Sequence, residues 1–206
     1  MEYIIVGLGN PGAEYEHTRH NVGRNVALSL QRHWQTSDWR DDKKTRARIS
    51  QGMLADGKTK VKLVLPDTFM NRSGAAVQPL IKTAKQIERL IIVHDDIDLG
   101  AGTLRIVQNR GSGGHKGVDS IVRALRSKAC IRVRVGVSPK TPKGKVKKPK
   151  GEAAVLAFIL KQYGKKDRAN FSVLIDRVAL ATEAVITLGV AKAMCLYNGE
   201  VGTKVK

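Results

Sequence analysis

Acidic residues are scarce in this chain, and they are scarcest in its second half. The 206 residues hold 37 Lys+Arg against 18 Asp+Glu, a formal charge of +19. Residues 101–206 contain 22 of those cations and only 6 of the anions. A basic excess confined to one part of a chain is typical of proteins that bind a polyanion. We therefore expect a nucleic acid partner; the alternative is a basic surface that serves only solubility.

The chain also lacks long apolar runs and has only two cysteines. No stretch reaches the ~18 apolar residues of a membrane span, and Met1 leads directly into a short apolar run instead of a signal peptide. Cys130 and Cys195 each stand between apolar neighbours, which predicts two small buried side chains of a reducing compartment. We expect a soluble cytoplasmic protein that does not bind membranes.

Several signatures of catalysis are missing. There is no G-x-x-x-x-G-K-[ST] phosphate loop and no G-x-S-x-G nucleophile elbow, and the histidines and cysteines lack zinc-site spacing, so no metal is expected. Gly7, Gly9 and Gly12 do fit G-x-G-x-x-G. Pro11 interrupts that motif, however, and residues 32–38 do not form the second strand that a dinucleotide fold requires. A nucleotide-cofactor oxidoreductase is therefore disfavoured.

Short apolar runs alternate with segments of helical period. Strands are predicted at 3–7, 61–65, 90–94, 103–107 and 131–137, with a weaker one at 49–54. Helices are predicted over 77–84, over 118–125, from Val22 with Asn21 as N-cap, and over 174–188 with Gly189 as C-cap. This alternation predicts an α/β fold around one largely parallel sheet in a single domain, 1–206.

Residues 139–151 form the one compositionally biased segment, with six lysines and three prolines. Such a segment cannot pack into a core, which predicts an exposed and mobile basic loop. The charge elsewhere in this half favours a phosphate-binding arm over a solvated linker.

Polar side chains cluster after several predicted strands: Asn10, then 69–74, then 94–99, and then 111–117 before a helix. In an open α/β sheet, ligands bind beyond the carboxyl ends of the strands, so these turns could converge on one crevice. A histidine with a carboxylate partner is the minimal general-base unit. Each of these residues also has a structural interpretation, since a lone histidine near a helix start is more often a structural or surface residue and aspartates commonly cap turns. The pattern alone does not choose a substrate.

Four motifs together resemble the bacterial-type peptidyl-tRNA hydrolases. The first motif reads Gly7-Leu8-Gly9-Asn10-Pro11-Gly12-x-x-Tyr15-x-x-Thr18-Arg19-His20-Asn21-x-Gly23. The others follow in the family's order: Pro66-x-Thr68-Phe69-Met70-Asn71-x-Ser73-Gly74, His94-Asp95-Asp96-x-Asp98-Leu99 and Gly113-Gly114-His115-x-Gly117.

The resemblance implies a monomeric α/β hydrolase with a twisted mixed sheet flanked by helices on both faces. Its substrate would be peptidyl-tRNA, cleaved at the ester between the peptide and the terminal ribose, without cofactor, metal or obligate protein partner. His20 would activate water, and Asp95 would hold its imidazole. Asn10 and Asn71 would position the substrate and stabilise the oxyanion.

The residues expected to bind substrate or tRNA are Tyr15, Met70, Asn71, His115, Lys116, Arg134, Lys143 and Lys145. Lys116 departs from the family, which usually has Asn there, because a purely cationic donor replaces an amide. Lys116 and the long basic loop favour an alternative, a non-catalytic RNA-binding relative such as a group II intron splicing factor. The complete set of Asn10, His20, Asn71 and Asp95 favours the enzyme. The segment 152–190 is expected to form a C-terminal helical lid.

Overall fold

Eight strands form one mixed sheet in a computed structural model that describes residues 1–200, apart from the side chains of 165–169 and 199–200. The strands are β1 Glu2–Gly7, β2 Arg40–Asp42, β3 Ala47–Met53, β4 Lys60–Pro66, β5 Leu90–Gly100, β6 Thr103–Gln108, β7 Ile131–Ser138 and β8 Gly199–Glu200. Their order across the sheet is β2-β3-β4-β1-β5-β7-β6-β8. The central four are parallel, and the outer pairings are antiparallel.

Helices cover both faces of this sheet, which confirms the predicted α/β class. They are α1 Val22–Trp34, α2 Ser73–Val77, α3 Ala84–Ile87, α4 Lys116–Leu125, α5 Glu152–Ile159, α6 Lys165–Leu188 and α7 Val190–Tyr197. Alternation along β1 divides the core in two, because neighbouring side chains of a strand point to opposite faces. Ile4 packs with residues of α2 and α4, whereas Ile5 packs with residues of α1 and α6.

All six predicted strands are present, and one is longer than predicted. The run at 90–94 continues as β5 to Gly100, so Asp95 and Asp96 lie on a central strand and not in the turn after it. The reason is the ladder with β7, which pairs Asp95 with Val135 and continues past the end of the apolar run. Asp95 is therefore held by a sheet backbone.

The single helix predicted over 77–84 is wrong. The chain there forms the end of α2, a 3₁₀ turn at Gln78–Leu80, and a separate α3 that begins at Ala84. Pro79 has no N–H for an α-helical hydrogen bond, and the chain there forms a 3₁₀ turn that leaves helical dihedrals at Ile81. The other predicted helices are present, and Gly189 follows the last residue of α6 as expected.

Backbone-to-backbone contact sets the position of α1. A Cβ added to Gly23 would lie 2.2 Å from the Val93 oxygen and 2.6 Å from the Leu8 nitrogen. A Cβ added to Gly7 would lie 2.4 Å from the Gly23 oxygen. The glycines at the end of β1 and at the start of α1 therefore let the helix approach the ends of two central strands, which places the preceding turn beside them.

Three further expectations concern the exterior. Cys130 is buried as predicted, but Cys195 is exposed on α7, so its apolar neighbours do not indicate burial. No helix within residues 1–200 is long and apolar enough to cross a membrane. The start of the basic loop forms a turn closed by backbone hydrogen bonds from Thr141 to Lys145 and from Lys147 to Pro139, both 2.8 Å. Its mobility stays a prediction.

Candidate active site

A cavity of about 270 Å³ opens at the carboxyl ends of β1, β4 and β5. It brings together all four residues predicted to be catalytic and three further residues predicted to bind substrate. These residues are Asn10, His20, Met70, Asn71, Asp95, His115 and Lys116. Side chains from five separate parts of the chain thus share one wall, as the position of the polar turns predicted.

His20 and Asp95 form the centre of this wall. His20 Nδ1 lies 2.8 Å from Asp95 Oδ1, and both side chains are buried. An ionised carboxylate only accepts hydrogen bonds, so Nδ1 carries the proton and Nε2 is left as a base. Burial by itself opposes ionisation of Asp95. Electrostatic interaction and hydrogen bonding with His20 and His115 outweigh it and hold the pKa of Asp95 well below its usual value.

His115 donates to the same carboxylate oxygen, which the sequence did not predict. Its Nε2 lies 2.9 Å from Asp95 Oδ1. Its Nδ1 accepts the backbone N–H groups of Gly117 and Val118 at 3.2 and 3.3 Å, and so caps α4. A nitrogen that accepts two N–H groups carries no proton, so the His115 ring is neutral with its proton on Nε2.

The same three side chains have the composition of a metal site. His20 Nδ1, Asp95 Oδ1 and His115 Nε2 all lie within 4.8 Å of one another, and imidazole and carboxylate are common zinc ligands. A metal on Nε2 of a neutral His115 would move the ring proton to Nδ1. That proton would face the N–H groups of Gly117 and Val118, which need an acceptor. The hydrogen-bond pattern therefore favours a proton over a metal ion.

Asn10 is held on both its backbone and its side chain. Its Oδ1 accepts the Met70 N–H at 2.9 Å, which leaves the Nδ2 donors to the cavity. Asn21 brackets its backbone, with Oδ1 accepting from Asn10 N–H at 2.8 Å and Nδ2 donating to Asn10 O at 2.9 Å. Asn21 does occupy the N-cap position of α1, but its side chain makes no capping bond. The predicted side-chain cap is wrong, because the amide is already used to hold Asn10.

The other predicted binding residues lie at different distances from this wall. Met70 is buried against the cavity, and the exposed Asn71 follows it in a 3₁₀ turn. Tyr15 does not line the cavity; its carbonyl accepts the Thr18 hydroxyl at 2.8 Å and so shapes the turn before His20. The proposed contact of Tyr15 with substrate stays a prediction.

Of the cations predicted to bind tRNA, Lys116 lines the cavity, and Arg134, Lys143 and Lys145 do not. Arg134, on β7, donates its Nε–H to Asp96 Oδ2 at 2.5 Å, and Asp96 follows Asp95 on β5. Lys148 makes a similar contact with Asp98, also at 2.5 Å. Lys143 and Lys145 are exposed and do not line the cavity. A phosphate chain that crosses the mouth would therefore meet them outside the reacting centre.

Helix α5 closes one side of the cavity with apolar side chains, including Leu156 and Ile159. Its first residue, Glu152, accepts from Lys116 Nζ at 2.7 Å. At its other end, Arg19 donates to the Phe158 and Lys161 carbonyls at 3.4 and 3.0 Å. The wall is therefore attached to the segments that carry His115 and His20. The sequence predicted a lid region here but not these attachments.

Two buried polar residues beside the site were missed. His94 is 1% exposed and Arg132 is 3% exposed. A usable signal was present, since Arg132 and Arg134 alternate with valines in an otherwise apolar strand and therefore share one face of the sheet.

Comparison with known proteins agrees with this geometry. The family model for peptidyl-tRNA hydrolase matches residues 4–205 of the chain. The chain belongs to the peptidyl-tRNA hydrolase family. A peptidyl-tRNA hydrolase of Mycobacterium avium is 38% identical over 191 residues, which cover 92% of this chain and 94% of the relative. One from Syntrophomonas wolfei is 36% identical over 196 residues, covering 95% and 99%.

A solved structure leads to the same family. The crystal structure of peptidyl-tRNA hydrolase from Acinetobacter baumannii aligns with a TM-score of 0.82 and 30% identity, covering 95% of each chain. The resemblance drawn from the four motifs is thus confirmed, together with the α/β class. The relatives carry the name of a carboxylic ester hydrolase, and this chain is an enzyme of that kind.

Proposed function

We propose that this enzyme hydrolyses peptidyl-tRNA at the ester between the peptide and the 3′-terminal ribose, and so returns free tRNA to translation. The observation that carries the proposal is the buried hydrogen bond of 2.8 Å between His20 and Asp95 at the wall of the cavity. It leaves His20 Nε2 as a base in a site that also holds amide donors.

In this mechanism, His20 Nε2 takes a proton from a water molecule as the oxygen attacks the ester carbonyl. Asp95 stabilises the imidazolium and keeps its orientation. The oxyanion is stabilised by the Asn10 Nδ2 donors and by the Asn71 amide. The tetrahedral intermediate then expels the ribose oxygen, which takes the proton back from His20. An ester is activated enough for one aligned water and one base to suffice.

The charge of the second half supports a tRNA substrate. Lys116 lines the cavity, Arg134 pairs with Asp96 of the cavity lining, and Lys143 and Lys145 are exposed and available to an RNA backbone. Cations that contact phosphate contribute affinity that falls as salt displaces them. Chemistry and tRNA affinity therefore belong to separate residues.

We also propose a monomer in the cytoplasm without an obligate protein partner, folded as one domain with 152–190 as a lid. A sedimentation measurement of the purified chain tests the monomer, which a concentration-dependent dimer would contradict. Lys116 and the basic loop are the features that support the non-catalytic alternative, an RNA-binding protein such as a splicing factor.

Release of peptide from purified peptidyl-tRNA separates the two candidates. The wild type should turn over, and His20→Ala should lose about 10²–10⁴-fold in kcat, the usual contribution of a general base, while its affinity for tRNA is unchanged. His33→Ala is the matched control, because His33 also pairs with a carboxylate, Glu183, but at the surface. Binding of tRNA without release by the wild type would favour the splicing-factor candidate. Equal release by wild type and His20→Ala would reject His20 as the base.

A further inference from the structure

His94 is a fully buried histidine in contact with the active-site wall, and both of its ring nitrogens have partners. Its Nδ1 donates to the carbonyl oxygen of Asp95 at 2.7 Å. Its Nε2 faces Arg132 Nη1 at 3.5 Å, a distance at which the guanidinium can only donate. This pattern requires a neutral ring with its proton on Nδ1. The ring also packs edge-on against His115, with centroids 4.6 Å apart.

Arg132 is a buried cation that binds loop carbonyls. Its Nη2 donates to Gly111 O at 2.6 Å, and its Nη1 lies 3.4 Å from Ser112 O. Asp96 interacts with it electrostatically, but within the described residues Arg132 forms no hydrogen bond with a carboxylate. Burying a guanidinium costs desolvation free energy unless its N–H groups form hydrogen bonds. The contacts with the two carbonyl oxygens offset this cost.

The loop that Arg132 holds is rich in glycine and is also closed by a hydrogen bond of 3.2 Å from Gly114 N–H to Ser112 Oγ. Gly113 and Gly114 have φ of +69° and +82°, and a Cβ added at Gly111, Gly113 or Gly114 would meet no atom within 4 Å. This loop leads directly into His115, whose Nε2 proton is shared with Asp95. His115 is held by α4 and Asp95, and Arg132 at the start of the loop and His94 against its ring add to this restraint.

We propose that His94 and Arg132 are positioning residues for the hydrolysis, acting on Asp95 and His20 through His115. His94 also orients Asp95 from the other side, through the backbone carbonyl. Asp95 Oδ1 divides its charge between the N–H groups of His20 and His115. Loosening His115 leaves that charge to His20 alone, which stabilises the protonated form of the site. The predicted effects on kcat rest on the proposed function. The predicted protonation of the histidine rings does not.

The structural part is tested on the wild-type chain by nitrogen-15 NMR of the histidine rings at pH 7. The expected result is His94 protonated on Nδ1 only and His115 protonated on Nε2 only. A charged His94, or a proton on its Nε2, would overturn the proposal. This measurement needs no substrate, so it stands even if the wild type fails to release peptide from peptidyl-tRNA.

The kinetic part is tested with His94→Phe, which keeps a ring but no polar atom, and with Arg132→Lys, a milder change that remains available if the first variant does not fold. Each should lower kcat by about 10–10²-fold, the scale of a small misplacement of reacting groups, with KM within about twofold. The acid limb of the pH–rate profile should move to higher pH. Thr182→Val is the control, because Thr182 is a buried hydroxyl bonded to Val178 within α6 and away from the cavity.

A double-mutant cycle with His115→Ala shows whether the effect passes through His115. In that background, Arg132→Lys should cost less than about twofold and His94→Phe should cost less than it does with His115 present, because the ring that both position is gone while the contact of His94 with Asp95 O is not. The full cost in both backgrounds would overturn the proposal, and so would an unchanged kcat in the folded single variants. His94→Asn should recover part of the activity, since its amide can still donate to Asp95 O.

Discussion

Asn10 and Met70 are joined by a hydrogen bond of 2.9 Å from the Met70 N–H to Asn10 Oδ1, across 60 residues of sequence. The bond fixes which end of the Asn10 amide faces the cavity, so its donors are aimed before substrate arrives. Donors that need no reorganisation during the reaction are the effective ones in stabilising an oxyanion.

Asn10→Asp is the sharpest test of this arrangement. The new side chain still accepts from Met70, but it presents a negative oxygen where the amide presented N–H groups. We expect kcat to fall by about 10²–10³-fold, as for loss of an oxyanion donor, with tRNA affinity and folding retained. Asn25→Asp adds the same charge on α1 and should leave kcat unchanged. A kcat within threefold of wild type for Asn10→Asp would exclude Asn10 as a donor in the reaction.

The ion pair between Lys116 and Glu152 restrains a lysine that could otherwise bind phosphate. The two atoms lie 2.7 Å apart, and the hydrogen bond and charge of Lys116 lower the pKa of Glu152. We expect Glu152→Gln to tighten tRNA binding at low salt and to steepen the dependence of log K on log salt by about 0.7–0.9, the value for one phosphate. Lys116→Asn should do neither.

The thermal midpoint should not move in Glu152→Gln, because an exposed pair contributes little to stability. Glu2→Gln is the matched control, since Glu2 pairs with Lys62 toward the amino ends of β1 and β4, whereas the cavity lies at their carboxyl ends. If its salt dependence steepened equally, the effect would be one of net charge and not of Lys116.

The basic loop should contribute salt-dependent affinity and no catalysis. We expect Lys143→Ala/Lys145→Ala to weaken tRNA binding and to reduce the salt slope by about 0.7–0.9 for each phosphate that the loop no longer binds, with kcat unchanged at saturating substrate. Lys43→Ala/Lys44→Ala removes two exposed lysines from the connection between β2 and β3 and controls for total charge. An unchanged slope in the loop variant would identify the loop as a linker.

His94 should make folding sensitive to mild acid. Burial, followed by the nearby His115 and Arg132, lowers the pKa of His94 well below its usual value, although Asp95 acts in the opposite direction. The folded state then keeps the ring neutral while the unfolded chain gains a proton below about pH 6.5, so stability is lost as pH falls, by up to about 1.4 kcal/mol per pH unit.

Urea unfolding at several pH values between 7.5 and 5 measures this slope. His94→Asn should flatten it, because no group is left to take up the proton. His33→Ala removes an exposed histidine and should keep the wild-type slope. A slope that is the same in all three proteins would assign the acid sensitivity to other groups.

The sequence predicted much of the sheet because the central strands are buried on both faces and read as continuous apolar runs. It predicted the residues of the cavity through motifs that stand at strand ends. It did not predict how those residues share partners. That His20 and His115 donate to one oxygen of Asp95 depends on where α4 begins relative to β5, which no local pattern contains.

Two wrong predictions show that a local sequence pattern does not reveal contacts with distant parts of the chain or the effect of a single proline. Asn21 has the residue type and place of a helix cap, yet its amide holds Asn10, a partner distant in sequence. The apolar spacing around Pro79 is that of a helix, yet Pro79 lacks the N–H of an α-helical hydrogen bond, and the chain forms a 3₁₀ turn there. The attachment of α5 to Arg19 was not predicted because the acceptors are carbonyls, which carry no sequence signal.

The close approach at Gly23 has a consequence for how this protein responds to heat. The His20 side of the cavity rests on backbone in direct contact with two central strands, so it loosens only when the sheet itself does. The His115 side rests on the start of α4, which follows a glycine loop held by one guanidinium. As temperature rises, turnover should therefore be lost before the protein unfolds. The His115 side of the cavity then sets the highest temperature at which the enzyme works.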